Sequence, residues 1–191
     1  PGLWVAADSR VSTHDGSSLI EDAIKVFALP VVCRSPDEYG FFTTPYHAHT
    51  YGYSFAGDTL LGQNTFLSLV PLLSNLYSSS SYIPSFADVV NYMHTYLSLT
   101  FNACKVHRGE RSVFEVALFG YCPRTAMLSA YHFSPSRESE DKPLEMTCIR
   151  HEDMQENDFI YLGSERSHME AEIRAALQAD SSPLAAFNAR Q

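Results

Sequence analysis

Lys25 is the residue whose surroundings most demand a chemical explanation. It is a lone cation in a β-rich stretch with Ile24, Val26, Phe27, Val31 and Val32. An ammonium in such a strand is costly to bury unless a carboxylate accompanies it. Asp8 is the candidate partner. It opens the polar trio Asp8-Ser9-Arg10 at the end of the apolar run Leu3-Trp4-Val5-Ala6-Ala7, and the interval to Lys25 is long enough for a strand, a turn and a return strand. Spacing alone leaves two arrangements open: Lys25 faces Asp8, or its stem lies on apolar surface and its charge reaches water from an edge strand. His47 and His49 alternate as two metal ligands on one strand face would, but no third ligand stands at a fitting spacing, so a surface pair is the simpler reading. Ser9, Ser164 and His168 have the residue types of a serine hydrolase, yet Gly163-Ser164-Glu165 lacks the GxSxG elbow.

The elements that must position these groups follow from periodicity. Residues 3–11 read as a short apolar strand, Asp15-Gly16 as a turn, and 23–32 as a second strand with Lys25 inside it. Residues 33–50, with Pro36, Gly40 and Pro45, read as a long loop or inserted hairpin ahead of a strand over 50–55. From Thr59 the period changes: Leu60, Phe66, Leu67, Val70, Leu73, Leu76 and Tyr77 predict a helix, with Pro71 placed to kink it. Ser85 and Asp88 have capping-box spacing and should open a second helix. Its apolar stripe is Phe86, Val89, Val90, Met93, Leu97, Phe101 and Cys104, and it ends before Gly109. Residues 113–121 and 125–133 form a predicted hairpin around Cys122-Pro123-Arg124, followed by a polar loop over 134–142. Strands are expected at 144–149 and 159–162. A helix is expected over 165–178 with Met169, Ile173, Ala176 and Leu177 on one face, and another from Ser182-Pro183. Strands, two helices, strands and then helix fit strand layers covered by helices better than an alternating parallel β/α pattern.

Composition narrows the function classes. The 191 residues suit one domain, residues 1–191, and 45% hydrophobic against 18% charged residues supplies a core. Thirteen Lys and Arg against 22 Asp and Glu give a formal charge of −9, the wrong sign for a partner of nucleic acid or anionic membrane. The longest apolar stretch, residues 66–76, is broken by Ser68, Pro71, Ser74 and Asn75, so no bilayer-spanning segment is expected. The start Pro1-Gly2-Leu3-Trp4 shows no basic region followed by an apolar one, so no secretory signal is expected within it, and a cleaved one upstream stays open. Cys33, Cys104, Cys122 and Cys148 form no CxxC, and the default is reduced thiols in the cytoplasm.

Four segments, in order, carry a resemblance. Leu3-Trp4-Val5-Ala6-Ala7-Asp8-Ser9-Arg10-Val11-Ser12 resembles the first-strand segment of proteasome β-subunits, and Lys25-Val26-Phe27 their lysine-bearing strand. Ser54-Phe55-Ala56-Gly57-Asp58-Thr59 is similar to the Gly-Phe-Ala-Gly-Gly-Thr segment of HslV-type proteases. Phe159-Ile160-Tyr161-Leu162-Gly163-Ser164 resembles the family's Ile-Gly-Ser-Gly element. The resemblance, to N-terminal-nucleophile (Ntn) hydrolases, spans essentially the whole chain.

It implies an α+β fold of the αββα four-layer sandwich type and a threonine-protease chemistry, in which a processed N-terminal residue attacks an amide carbonyl with its own α-amine as base. Lys25 would match the lysine whose charge favours the free amine, and Asp8 would orient it. Gly57 would give the backbone N–H for the oxyanion, Ser164 the hydroxyl that relays protons, and Arg10 a structural contact. The nucleophile would lie upstream of Pro1, and the family's later Asp and Ser beyond Gln191. No metal or other cofactor is implied. The implied partners are a peptide or protein substrate, further copies of the chain in a ring or stack, and an ATP-dependent unfoldase.

Departures from the family pattern open a second expectation. Asp58 replaces a Gly, Leu61 stands where Asp is frequent, Glu165 replaces the Gly after Ser164, and residues 33–50 are an extension. A catalytically inactive structural or assembly subunit of the same fold is the alternative. A Lys25–Asp8 separation beyond hydrogen-bond distance, or a Lys25 pointing to solvent, favours that alternative.

Overall fold

The computed structural model describes residues 2–12, 17–109, 113–152, 154–155 and 157–179. Its backbone is laid down around one long hairpin, β3 (Val26–Ser35) and β4 (Thr44–Gly57), paired antiparallel from Val26↔Ser54 to Ser35↔Thr44 with an irregularity at Cys33/Arg34. Of the two expectations for residues 33–50, the hairpin is the one observed, and β4 begins at Thr44 rather than Thr50. The reason lies in Asp37. Its Oδ1 accepts the Tyr39 and Phe41 amides at 2.9 Å each, and its Oδ2 accepts the Thr43 hydroxyl at 3.1 Å, so one carboxylate closes the tip.

β6 (Phe114–Cys122), β7 (Met127–Ser136) and β8 (Glu145–Glu152) extend the sheet antiparallel, and the short β5 (Leu76–Tyr77) adds parallel to β3 on the other edge. The order is β5-β3-β4-β6-β7-β8, a curled six-stranded sheet; β1 (Val11–Ser12) and β2 (Ser18–Ile20) form a separate two-stranded piece. With α1 (Thr59–Leu73), α2 (Phe86–Arg108) and α3 (Arg166–Ala179), the chain is mixed α+β. No described helix is long and apolar enough to cross a membrane.

The core lies between one sheet face and α1 and α2, where Leu29, Val31, Tyr51, Tyr53 and Phe55 meet Leu69, Phe86, Met93, Leu97 and Phe101. α2 starts as its sequence demands: Ser85 Oγ accepts the Asp88 amide while the Asp88 carboxylate accepts the Ser85 amide. Phe86 stacks on Tyr51, ring centroids 4.2 Å apart. Every member of the expected α2 stripe is buried except Cys104, which is half-buried.

α1 is rotated in part relative to expectation: Phe66, Val70 and Leu73 pack on the core as expected. Leu61, Gly62, Thr65, Leu69 and Leu73 face inward, while Leu60 and Leu67 are 71% and 66% exposed. Gly62 decides this: a Cβ there would stand 2.3 Å from the Phe55 ring, and Tyr53 Oη donates to the Gly62 carbonyl at 2.8 Å. The helix therefore approaches the sheet along its smallest side chain, which turns Leu61 and Leu69 inward. Leu76 and Tyr77 belong to β5, not to α1.

Two further expectations are corrected. Residues 3–10 form no strand; Trp4 is 81% exposed, and among the described residues the run joins no sheet ladder. Residues 159–162 are irregular as well and belong to the connection between β8, which ends at Glu152, and α3. In α3 the face Met169, Ile173, Ala176 and Leu177 is the right one but only half-buried. The Asp15-Gly16 turn and the helix from Ser182-Pro183 lie outside the described residues. All four cysteines are free.

The rotated α1 gives a direct test. Leu69→Ala should cost about 2–5 kcal/mol and Leu67→Ala less than about 0.5 kcal/mol in urea unfolding. Equal losses would contradict the observed face.

Candidate functional site

The singled-out residues converge on one end of the sheet, where β3 begins, β4 ends and β6 begins. Lys25 is not inside a strand as expected but immediately before β3, where its carbonyl accepts the Phe55 amide at 3.3 Å. The α1 residue Gln63 holds the preceding carbonyl, of Ile24, at 3.4 Å. The Lys25 side chain turns back toward residues 8–10. Its Nζ donates to the Arg10 carbonyl at 2.5 Å and lies 3.8 Å from Asp8 Oδ2. The Lys25 side chain is 16% exposed and that of Asp8 41%.

Residues 8–10 are themselves tied to the approach of β3. Asp8 Oδ1 accepts the Arg10 amide at 2.5 Å, which folds the trio into a local turn. Ser9 Oγ donates to the Glu21 carbonyl at 2.5 Å, and the Ala23 amide donates to the Ser9 carbonyl at 2.8 Å. Arg10 Nε faces Glu21 Oε2 at 3.4 Å in an exposed pair. The Glu21 carboxyl is held below its ordinary value, first by the Ser18 hydrogen bond and then by Arg10. An exposed pair of this kind contributes little to stability, so Arg10 acts mainly through its backbone.

Gly57 ends β4 with φ +89°, opposite Phe114. A Cβ there would stand 2.5 Å from the Val113 carbonyl, so only glycine lets the chain leave the sheet this close to β6. The next residue, Asp58, donates its amide to that carbonyl at 3.2 Å and caps α1 by accepting the Leu61 amide at 3.1 Å. A side chain at the position where the family carries Gly thus serves as a helix cap.

Ser164 arrives from the far side of the chain. Gly163, φ +126°, lies against Ala56, its added Cβ being 3.9 Å from the alanine methyl. Tyr161 Oη donates to the Ser164 carbonyl at 2.9 Å, and the Ser164 side chain is exposed. Asp8, Arg10 and Lys25 are in mutual contact, and Ser164 reaches the Gly57 corner through the Gly163–Ala56 contact. The two groups share the sheet end set by the β3–β4–β6 pairing.

Sequence reasoning missed a third group. Glu115 pairs with Ala56 across β4 and β6, on the sheet face turned away from α1 and α2. Its Oε2 accepts Arg166 Nη2 at 2.5 Å and His132 Nε2 at 2.9 Å. His132 is 2% exposed and Glu115 15%. Burial pushes the Glu115 carboxyl up, but the His132 hydrogen bond and the Arg166 charge outweigh it and hold the group below its ordinary 4.5. An ionised carboxylate accepts only, so His132 Nε2 carries the proton. The signal was present: Glu115 and His132 interrupt predicted strands just as Lys25 seemed to.

The weaker readings do not assemble. His49 Nε2 is engaged by the Tyr121 carbonyl at 2.8 Å, and among the described residues no group of three His, Cys, Asp or Glu could hold a metal. Ser9 bonds the Glu21 carbonyl while His168 faces Glu172 at 3.2 Å, so no serine–histidine pair forms between them.

No protein-family model matches the chain, and no curated protein or solved structure does either.

The lowered Glu115 pKa sets the sign of a pH dependence. Its stabilisation is complete above pH 4.5 and is lost as pH falls through the lower folded-state value. The stability gap between wild type and Glu115→Gln should be about 1–3 kcal/mol at pH 7 and should narrow progressively below pH 4.5 in urea titrations. A gap that stays constant down to pH 3 would show that the charge is not what matters.

Proposed function

We propose that the chain is the body of an Ntn amide hydrolase of the proteasome β-subunit and HslV type, acting on peptide bonds. The observation that carries this reading is the environment of Lys25: a cation 16% exposed, with its ammonium on the Arg10 carbonyl and Asp8 beside it, at the sheet end that also holds Gly57. A half-buried ammonium held against a backbone carbonyl beside a carboxylate is suited to tuning a neighbouring group. The reading calls for an N-terminal Thr, Ser or Cys that precedes Pro1 in the unprocessed chain.

In that mechanism the nucleophile's oxygen attacks the substrate carbonyl carbon while its own α-amine takes the proton. The Lys25 charge lowers the pKa of that amine and keeps it unprotonated near neutral pH. Asp8 offsets part of the charge and orients the ammonium. The oxyanion that forms is met by the Gly57 N–H, at an exposed corner where a substrate chain has access. Ser164 passes the proton on to the leaving amine. The fold that goes with this reading is the αββα sandwich, with a second sheet, of which β1 and β2 would be part, laid on the face that carries Ala56 and Glu115.

Assembly into a ring or stack, fed by an ATP-dependent unfoldase, belongs to the same proposal. Supporting it, Tyr92, Leu99 and Val106 recur every seventh residue on the outer side of α2 and are all exposed. Light scattering of the full-length protein should give a particle of several subunits; a monomer at high concentration would remove this part.

One observation favours a second reading, a catalytically silent subunit of the same fold. The 3.8 Å between Lys25 and Asp8 is an ion-pair distance but longer than a hydrogen bond. The two readings separate in one experiment on the full-length protein. The hydrolase reading expects mass spectrometry to find a Thr, Ser or Cys at the mature N-terminus and expects Lys25→Ala to lower peptidyl-amide hydrolysis about a hundredfold or more. An unprocessed chain without hydrolysis assigns the silent role.

A further inference from the structure

α3 is poorly anchored by apolar burial, since none of its residues is fully buried and its inner face is only half-covered. Something else must fix its first turn, because the backbone entering it is unfavourable on its own. Glu165 has φ +55°, a left-handed conformation that a side-chain-bearing residue holds only where its surroundings require it. Tyr161 Oη holds the Ser164 carbonyl on one side of Glu165, and on the other stands Arg166. Its guanidinium is bonded to Glu115, and Glu115 is held from the other side by the buried His132 on the same oxygen.

These positions close a ring. Glu115 stands opposite Ala56 in the β4–β6 register, Gly163 passes Ala56 at a distance where an added Cβ would stand 3.9 Å from the alanine methyl, and Gly163 leads through Ser164 and Glu165 to Arg166, which returns to Glu115. Gly57 follows Ala56 directly. A displacement of Arg166 therefore moves the Ser164 hydroxyl relative to the Gly57 amide, two groups that must face one reacting carbonyl.

We propose that Glu115 is a positioning residue: by holding Arg166 it fixes the Ser164 turn against Ala56, beside Gly57. This assignment rests on the hydrolase reading for its catalytic meaning, and on the contact ring for its structural content. His132 is the brace that sets the carboxylate, donating from Nε2 to the oxygen that also receives Arg166. Two donors on one oxygen leave the carboxylate little freedom to rotate.

The test uses the full-length, processed protein and a peptidyl-aminocoumarin amide. Glu115→Gln and Arg166→Met should each lower kcat about tenfold and leave KM within about twofold, because they misplace reacting groups without removing substrate contacts. Arg166→Lys, which keeps the charge, should recover part of the loss. A general structural role would give no such split and no recovery. In parallel, NMR should show the Gly163 Hα to Ala56 methyl contact in wild type and its loss in both variants, with the Leu118 amide remaining protected as a check on the fold. Should Glu115→Gln fail that check, the partly exposed Arg166→Met decides alone. If wild type hydrolyses no amide, the hydrolase reading fails, and the NMR arm still judges the ring: loss of the contact supports the positioning role, and its persistence overturns it. Unchanged kcat in both variants of an active enzyme overturns it too.

Discussion

The pairing of β4 with strands on both sides is the constraint from which the remaining geometry follows. Val26 opposite Ser54 places Lys25 beside the end of β4, and Ala56 opposite Glu115 places a carboxylate beside the same end. A slip by one residue would move Glu115 to the helix-covered face and expose Phe114 and Val116, which are fully buried. The hydrophobic pattern thus locks the register, and the register brings polar groups from three strands to one corner.

That corner is polar because its backbone is already spent. Gly57 leaves the sheet against the Val113 carbonyl, Asp58 takes over that carbonyl and caps α1, and Gln63 on α1 holds the Ile24 carbonyl. The transitions from strand to helix and from loop to strand are tied to one another. Side chains such as Lys25 and Glu115 are then left to interact across elements rather than to satisfy their own. Lys25, Glu115, His132 and Arg166 each have an oxygen or nitrogen partner, as the cost of desolvation demands.

The parts of this arrangement that could be read in the sequence are those governed by local rules. The α2 capping box, its stripe from Phe86 to Phe101 and the β6–β7 hairpin depend on neighbours within a few positions, and all three are observed. The pairing of Lys25 with Asp8 was legible only as one of two arrangements, because an ammonium in an apolar stretch either finds a carboxylate or reaches water along its stem. The α1 face was not, because the periodicity of leucines does not reveal that Gly62 must lie on Phe55. Nor were residues 3–10 and 159–162, whose apolar composition resembles strands but whose backbone finds no ladder. Glu115, His132 and Arg166 come from three elements far apart in sequence, and their meeting depends on register and on the path into α3, which no local pattern encodes.

Trp4 is the chain's single tryptophan, and it lies out in solvent at the start of the segment that carries Asp8 and Arg10. Its indole is remote in kind from the buried tyrosines and phenylalanines that hold the sheet to α1 and α2. Intrinsic tryptophan emission is therefore a reporter of whether this segment is covered, by an added strand, a neighbouring subunit or a bound chain. The same signal is nearly blind to melting of the core, which tyrosine absorbance and backbone dichroism register instead.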